Sequence, residues 1–232
     1  ASGKRFGFFP SAALGWNVSN EKFFAPLKEV VSNLKIRGSY GQVGNDALSI
    51  RFPYLTTVNM GDRGYYFGNN FSFKGAGSIS TYGNAAATWE IANKMNVGVD
   101  LELFHSLNIA VDYFTEHRYN IFMQRNSLSA TAGMGATVPY ANLGEVDNRG
   151  IDISASYNKV VNEDLTVGVR GTFTYAHNEV KAMDEPEYPE KNKHLSKIGH
   201  PMQAHHVLVA EGLFTSQEEI DASPEQRFGT YS

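Results

Sequence analysis

Along much of this chain apolar and polar residues alternate one for one. Met95, Val97, Val99, Leu101 and Leu103 are interleaved with Asn96, Gly98, Asp100 and Glu102. A two-residue period places the two sets on opposite sides of a β-strand, here one aliphatic and one carrying carboxylates and an amide. Leu34, Ile36 and Tyr40 oppose Lys35, Arg37 and Ser39 in the same way, and Leu107, Ile109, Val111 and Tyr113 oppose Asn108, Ala110 and Asp112. Only His105-Ser106 separates the last run from the run ending at Leu103, which predicts a tight hairpin. Ile151, Ile153, Ala155 and Tyr157 oppose Asp152, Ser154, Ser156 and Asn158. After a polar turn at 159–164, Leu165, Val167, Val169, Phe173 and Tyr175 oppose Thr166, Gly168, Arg170, Thr172 and Thr174. Looser strands are expected over 6–16 and 203–214, making about seven and an all-β fold.

Alternation of this length suits strands that cross about 25 Å of hydrocarbon at a tilt, since strands in soluble sheets run to about 5–6 residues. No apolar run approaches the roughly 18 residues of a membrane helix. The aromatic content is 12%, with 12 Tyr, 15 Phe and 22 Gly, the composition of a strand-rich chain with aromatic girdles. Short connections at 105–106 and 159–164 alternate with long ones near 43–88, 124–142 and 178–202, so an up-and-down sheet gathers the long loops at one rim. The connection 17–33 is longer than this rule wants, and Phe23, Phe24, Leu27, Val30 and Val31 suggest a short amphipathic helix there. The fold class expected is a transmembrane antiparallel up-and-down β-barrel, incomplete at about seven strands. Aliphatic faces would meet lipid, and Asp100, Glu102, Asp112, Asp152 and Arg170 would form lumen wall. A soluble β-sandwich has the same alternation, with core in place of lipid, and periodicity does not separate the two.

Composition narrows the chemistry. With 20 Lys+Arg against 24 Asp+Glu and a net charge of -4, no basic face for nucleic acid is expected. The absence of cysteine removes thiolate ligands, a thiol nucleophile and disulfides. His194, His200, His205 and His206 lie close in sequence but lack a metal-binding spacing, and the acidic groups Asp184, Glu185, Glu187, Glu190 and Glu218, Glu219, Asp221 do not follow a calcium-loop plan. Paired carboxylates for a hydrolase can be drawn from Asp100, Glu102 and Asp112, yet their regular alternation fits a polar wall better. No nucleophile elbow or phosphate loop is present. We therefore expect no catalytic residue, metal or cofactor. Tyr65, Tyr66 and Phe67 beside Asn69 and Asn70, with Tyr119 and Tyr140 flanking another long loop, are the candidate substrate-binding residues, because ring faces beside amides suit sugars or peptide side chains. Girdle aromatics are the plainer account of the same residues. Gly150 is expected to ease a loop into a strand, and Arg149 is expected to pair with Glu90.

Four phrases in order, 5–11 with Leu14-Gly15-Trp16, 34–45, Thr88-Trp89-Glu90 and 142–152, resemble the SusC-like (SusC/RagA) family of TonB-dependent outer-membrane transporters. The resemblance implies a barrel of about 22 strands with an N-terminal plug, energised by TonB and covered by a SusD-like surface lipoprotein. It implies import of an oligosaccharide or a peptide across a Gram-negative outer membrane, in contact with membrane lipid and lipopolysaccharide. On this reading residues 1–232 are part of the barrel domain, an internal to C-terminal segment with neither plug nor TonB box. A passive porin and, further off, a soluble glycan-binding sandwich are the rival readings.

Overall fold

Each strictly alternating run forms a strand in the computed structural model, which describes residues 6–48, 50–134, 137–205, 207, 209–210 and 212–223. Arg5, His206 and Phe228–Ser232 lie outside the described residues. Eight strands are present among them: β1 (Ser11–Asn17), β2 (Val31–Asn45), β3 (Thr57–Phe67), β4 (Ser72–Thr81), β5 (Glu90–Leu103), β6 (Leu107–Gln124), β7 (Tyr140–Asn162) and β8 (Leu165–Ala182). Six of them form one antiparallel sheet in the order β1-β2-β5-β6-β7-β8, a meander in which every neighbour in space is the next wall strand in sequence. β3 and β4 form a separate hairpin inside the long connection from β2 to β5. The lower ends are joined by 18–30, 104–106 and 163–164, and the long connections all leave the other rim, as the alternation of loop lengths predicts.

Several expectations need correction. β1 begins at Ser11, not near Phe6, because Pro10 has no N–H to place in a ladder; its carbonyl accepts from Gln42 N instead, at 2.9 Å. No strand forms over the described part of 203–214. Val207, Val209 and Leu213 stand out in solvent there with no paired neighbour, and a short helix, α1 (Gln217–Ala222), follows. The 17–33 connection is two 3-10 segments, Val18–Asn20 and Lys22–Leu27, where Pro26 leaves too few N–H groups for an α-helical turn. β7 continues through 159–162, so its turn to β8 is only Glu163-Asp164. β6 runs on to Gln124, well past the alternation that ends at Tyr113.

The sheet is a single layer. Its two sides follow from the register: residues paired across neighbouring strands point the same way. One face carries the rows Leu34–Leu101–Ile109–Ala155, Ile36–Val99–Val111–Ile153–Phe173 and Val97–Tyr113–Ile151–Tyr175. Nothing covers these residues, and Val97, Tyr113, Phe173 and Tyr175 are all exposed. A compact protein of 25.6 kDa has an accessible surface of roughly 10,400 Å². This chain has 17,871 Å², and among the described residues the buried apolar side chains are only those of Val18, Phe24, Ala87, Ala92 and Val180. The sandwich alternative fails on that point, since a second layer would bury the aliphatic face. Among the described residues no helix is long and apolar enough to cross a membrane.

Candidate functional site

The other face of the sheet is where charge collects. Asp100, Glu102, Asp112, Asp152 and Arg170 all occupy it, in the rows Lys35–Asp100–Ala110–Ser154, Arg37–Gly98–Asp112–Asp152–Thr174 and Glu102–Asn108–Ser156–Arg170. Arg37 on β2 organises the middle. Its Nε lies 3.2 Å from Asp100 Oδ2, and its Nη2 donates to Asp112 Oδ2 at 2.6 Å. The guanidinium reaches both strands because Gly98, directly beside it, has no side chain: a Cβ there would fall 2.6 Å from Asp112 Oδ1 and 2.7 Å from Arg37 Cζ. Such a clamp fixes two carboxylates that would otherwise repel.

A second network sits higher on the same face. Arg118 donates to Glu116 Oε1 at 2.6 Å and to Glu90 Oε1 at 3.0 Å, and Lys94 Nζ lies 3.4 Å from Glu116 Oε2. With Asn148, Asn178 and Met202, the side chains of Glu90, Glu116 and Arg118 line a hollow on the polar face, just below the long loops. Sequence reasoning missed Lys94, Glu116, Arg118 and Asn178. The visible signal was the continued alternation of charged residues at 116 and 118 after Tyr113. The expected Arg149–Glu90 pair does not form, because parity sends Arg149 to the aliphatic side while Glu90 points to the charged one.

The aromatic candidates divide into two groups. Tyr65, Tyr66 and Phe67 lie on β3 and Asn69 and Asn70 in the turn that follows, so they belong to the hairpin and not to an irregular loop. Tyr65 packs edge-on to Phe67 at 5.6 Å, and Tyr66 tilts against Phe73 at 5.2 Å. Tyr119 is a β6 residue stacked on His117, and Tyr140 opens β7, stacked on Phe122 at 5.4 Å. No hydrogen bond or ring contact joins the side chains of the two groups among the described residues.

The rim itself is riveted by side chains. A bulge in β6 between Arg118 and Ile121 leaves Asn120 at φ 56°, off the ladder. Asn142 fills the gap: its Nδ2 donates to Asn120 O at 2.8 Å and Thr88 O at 3.0 Å, and its Oδ1 accepts from Thr88 N at 3.0 Å. Asp184, just after β8, accepts from Ser127 N and Oγ, both at 2.8 Å, with Arg125 Nε 3.6 Å away. Burial resists ionisation of Asp184, but the Ser127 donors and Arg125 outweigh it and hold the carboxyl below the usual carboxylate range. Gly150 lies deep within β7, not at its entry. Its lack of a side chain admits the Phe114 ring and the Tyr175 carbonyl, a close approach in place of the loop freedom expected. Among the described residues no group of three or more His, Asp or Glu side chains is placed to hold a metal.

Comparison with known proteins agrees with this architecture. The profile of the family described as TonB dependent receptor-like, beta-barrel matches residues 1–229. The TonB-dependent receptor P39 of Formosa agariphila is 27% identical over 230 residues, 95% of this chain and 20% of that protein. The TonB-dependent receptor SusC of Bacteroides thetaiotaomicron is 26% identical over 223 residues, 93% of this chain and 22% of that protein. The chain therefore spans about a fifth of the length of the curated relatives it matches. Among solved structures, the RagAB peptide transporter superposes with a TM-score of 0.69 at 23% identity, over 87% of this chain and 21% of that one. The likeness is one of fold.

Proposed function

Because the chain belongs to the TonB-dependent receptor β-barrel family, we propose that it forms part of the wall and outer loops of an outer-membrane importer for oligosaccharides or peptides. The observation that carries this reading is the single-layer meander, with one uncovered apolar face and one face of ordered charge. Such a sheet is stable only where hydrocarbon replaces a second layer and further strands satisfy its edges. The apolar rows then face lipid in the outer membrane of a Gram-negative bacterium. Asp100, Glu102, Asp112, Asp152 and Arg170 face the lumen, and residues 1–232 lie within the barrel domain, with a plug and TonB box in other parts of the polypeptide.

The β3–β4 hairpin, with Tyr65, Tyr66, Phe67, Asn69 and Asn70, and the rim residues Tyr119 and Tyr140 stand on the long-loop side. There they meet cargo beneath a SusD-like surface lipoprotein. TonB, working through the plug, supplies the energy, and this part of the chain supplies passage and grip.

The test is made on the full protein extracted from its native membrane. A detergent-dependent chain several times heavier than 25.6 kDa, whose band shifts on heating and which brings a lipoprotein with it, supports the importer. A detergent-free species of 25.6 kDa overturns it. Uptake of labelled oligosaccharides and peptides by cells with and without the gene then identifies the cargo class. Loss of that uptake under a protonophore separates an energised importer from a passive porin.

A further inference from the structure

The aliphatic face ends abruptly at its upper border. The row Val97–Tyr113–Ile151–Tyr175 is apolar or aromatic throughout, whereas the row Gln42–Asn93–His117–Asp147–Glu179, further up each strand and beyond one intervening row, is wholly polar. Between them runs Tyr40–Met95–Thr115–Arg149–His177. Resting on the outer-membrane reading above, this middle row stands at the level where hydrocarbon gives way to headgroups in the outer leaflet.

Arg149 is the one permanent charge in that row. Both carboxylates of the row above are already engaged: Asp147 holds His117 at 2.6 Å and Lys181 at 3.9 Å, and Glu179 holds Lys181 at 2.7 Å. The Arg149 side chain makes no hydrogen bond or ion pair among the described residues. Its side chain is exposed and borders a shallow hollow shared with Tyr113, Ile151, Tyr175 and His177. An uncompensated guanidinium against hydrocarbon is costly, and its long stem lets the charge rise only as far as the headgroups. A planar fork of donors beside two tyrosine rings matches a pair of phosphate oxygens.

We propose that Arg149, with Tyr113, Tyr175 and His177, is a docking site on the outside of the barrel for a phosphate-bearing lipid headgroup of the outer leaflet. The lipid's acyl chains lie along the rows below, and its phosphate accepts from the guanidinium.

The full-length protein, purified in detergent, is titrated with phosphorylated lipid A and with enzymatically dephosphorylated lipid A, and bound lipid is counted by native mass spectrometry. The expected result is roughly tenfold tighter retention of the phosphorylated form. Arg149→Gln abolishes that preference, Arg149→Lys keeps part of it, and Arg170→Gln on the opposite face leaves it intact. Millimolar inorganic phosphate does not displace the lipid; displacement would mean that a free anion site, and not a lipid site, is present. Equal retention of the two lipids by the unaltered protein overturns the proposal whether or not any variant folds. Band shift on heating, measured on the same samples, separates this failure from failure of the barrel reading: a barrel without the site still shifts, and a protein that is not a barrel does not.

Discussion

Arg37 reaches two carboxylates on two other strands only because position 98 is empty of side chain. Gly98→Ala places a methyl group where Arg37 and Asp112 now meet, so the clamp must open. We expect a loss of about 1–2 kcal/mol, read as a lower temperature for the heat-induced band shift, and almost no further loss when Arg37→Gln is already present. Gly150→Ala is expected to cost more, because one of the atoms in its way is the Tyr175 carbonyl, which cannot swing aside as a side chain can. The alternation was enough to assign Asp100, Asp112 and Asp152 to one face. It was silent on Arg37 as their organiser, since a pairing between strands 63 residues apart depends on register and not on local pattern. The same parity rule, applied to Glu90 and Arg149, would have excluded the pair that sequence reasoning drew between them.

The rim elements are held by single side chains where ladders stop. Asn142→Ala removes the three side-chain hydrogen bonds that tie Thr88 and Asn120 to β7, and is expected to speed amide exchange at Thr88 and protease cutting in 84–89 without unfolding the sheet. Asp184 is a pH-sensitive rivet. Its carboxyl ionises below its ordinary value, so the tie to Ser127 is at full strength above the usual carboxylate range near pH ~4 and is lost as pH falls through the lowered value. Protease cutting of 125–139 should therefore rise on acidification in the unaltered protein. Asp184→Ala should be cut readily at every pH, and a flat profile in the unaltered protein would contradict this account. The wall strands β2, β5, β6, β7 and β8 were legible because one face of each is mostly aliphatic or aromatic over several alternating positions. β3 and β4 were not: Gly61, Gly64, Gly75 and Gly77 break the alternation, and a register shift between Met60 and Arg63 breaks it again. Tyr65-Tyr66-Phe67 and Phe71-Ser72-Phe73 around Gly68-Asn69-Asn70 was the hairpin signal available. The strand expected over 203–214, which the described residues there do not form, shows the reverse error, apolar residues without a neighbour to pair with.

For the whole molecule the two faces make opposite demands. Ile153→Arg puts a charge in the middle of the apolar side, and about 2–4 kcal/mol of destabilisation with poor delivery to the membrane is expected. Ser154→Arg, one residue on and facing the other way, should assemble nearly as well as the unaltered protein. Measuring both in the full-length protein by membrane fractionation tests the assignment of sides, and equal effects would refute it. The uncovered aliphatic face argues against a packed second layer among the described residues, something no periodicity could do. The order β1-β2-β5-β6-β7-β8 has a further meaning for descent. Because no wall strand pairs outside its nearest neighbours, the excursion 57–81 takes part in no wall register, and it can be lengthened, exchanged or lost while every ladder bond of the wall stays in place. Lineages that inherit this wall are free to edit the appendage, leaving the masonry untouched.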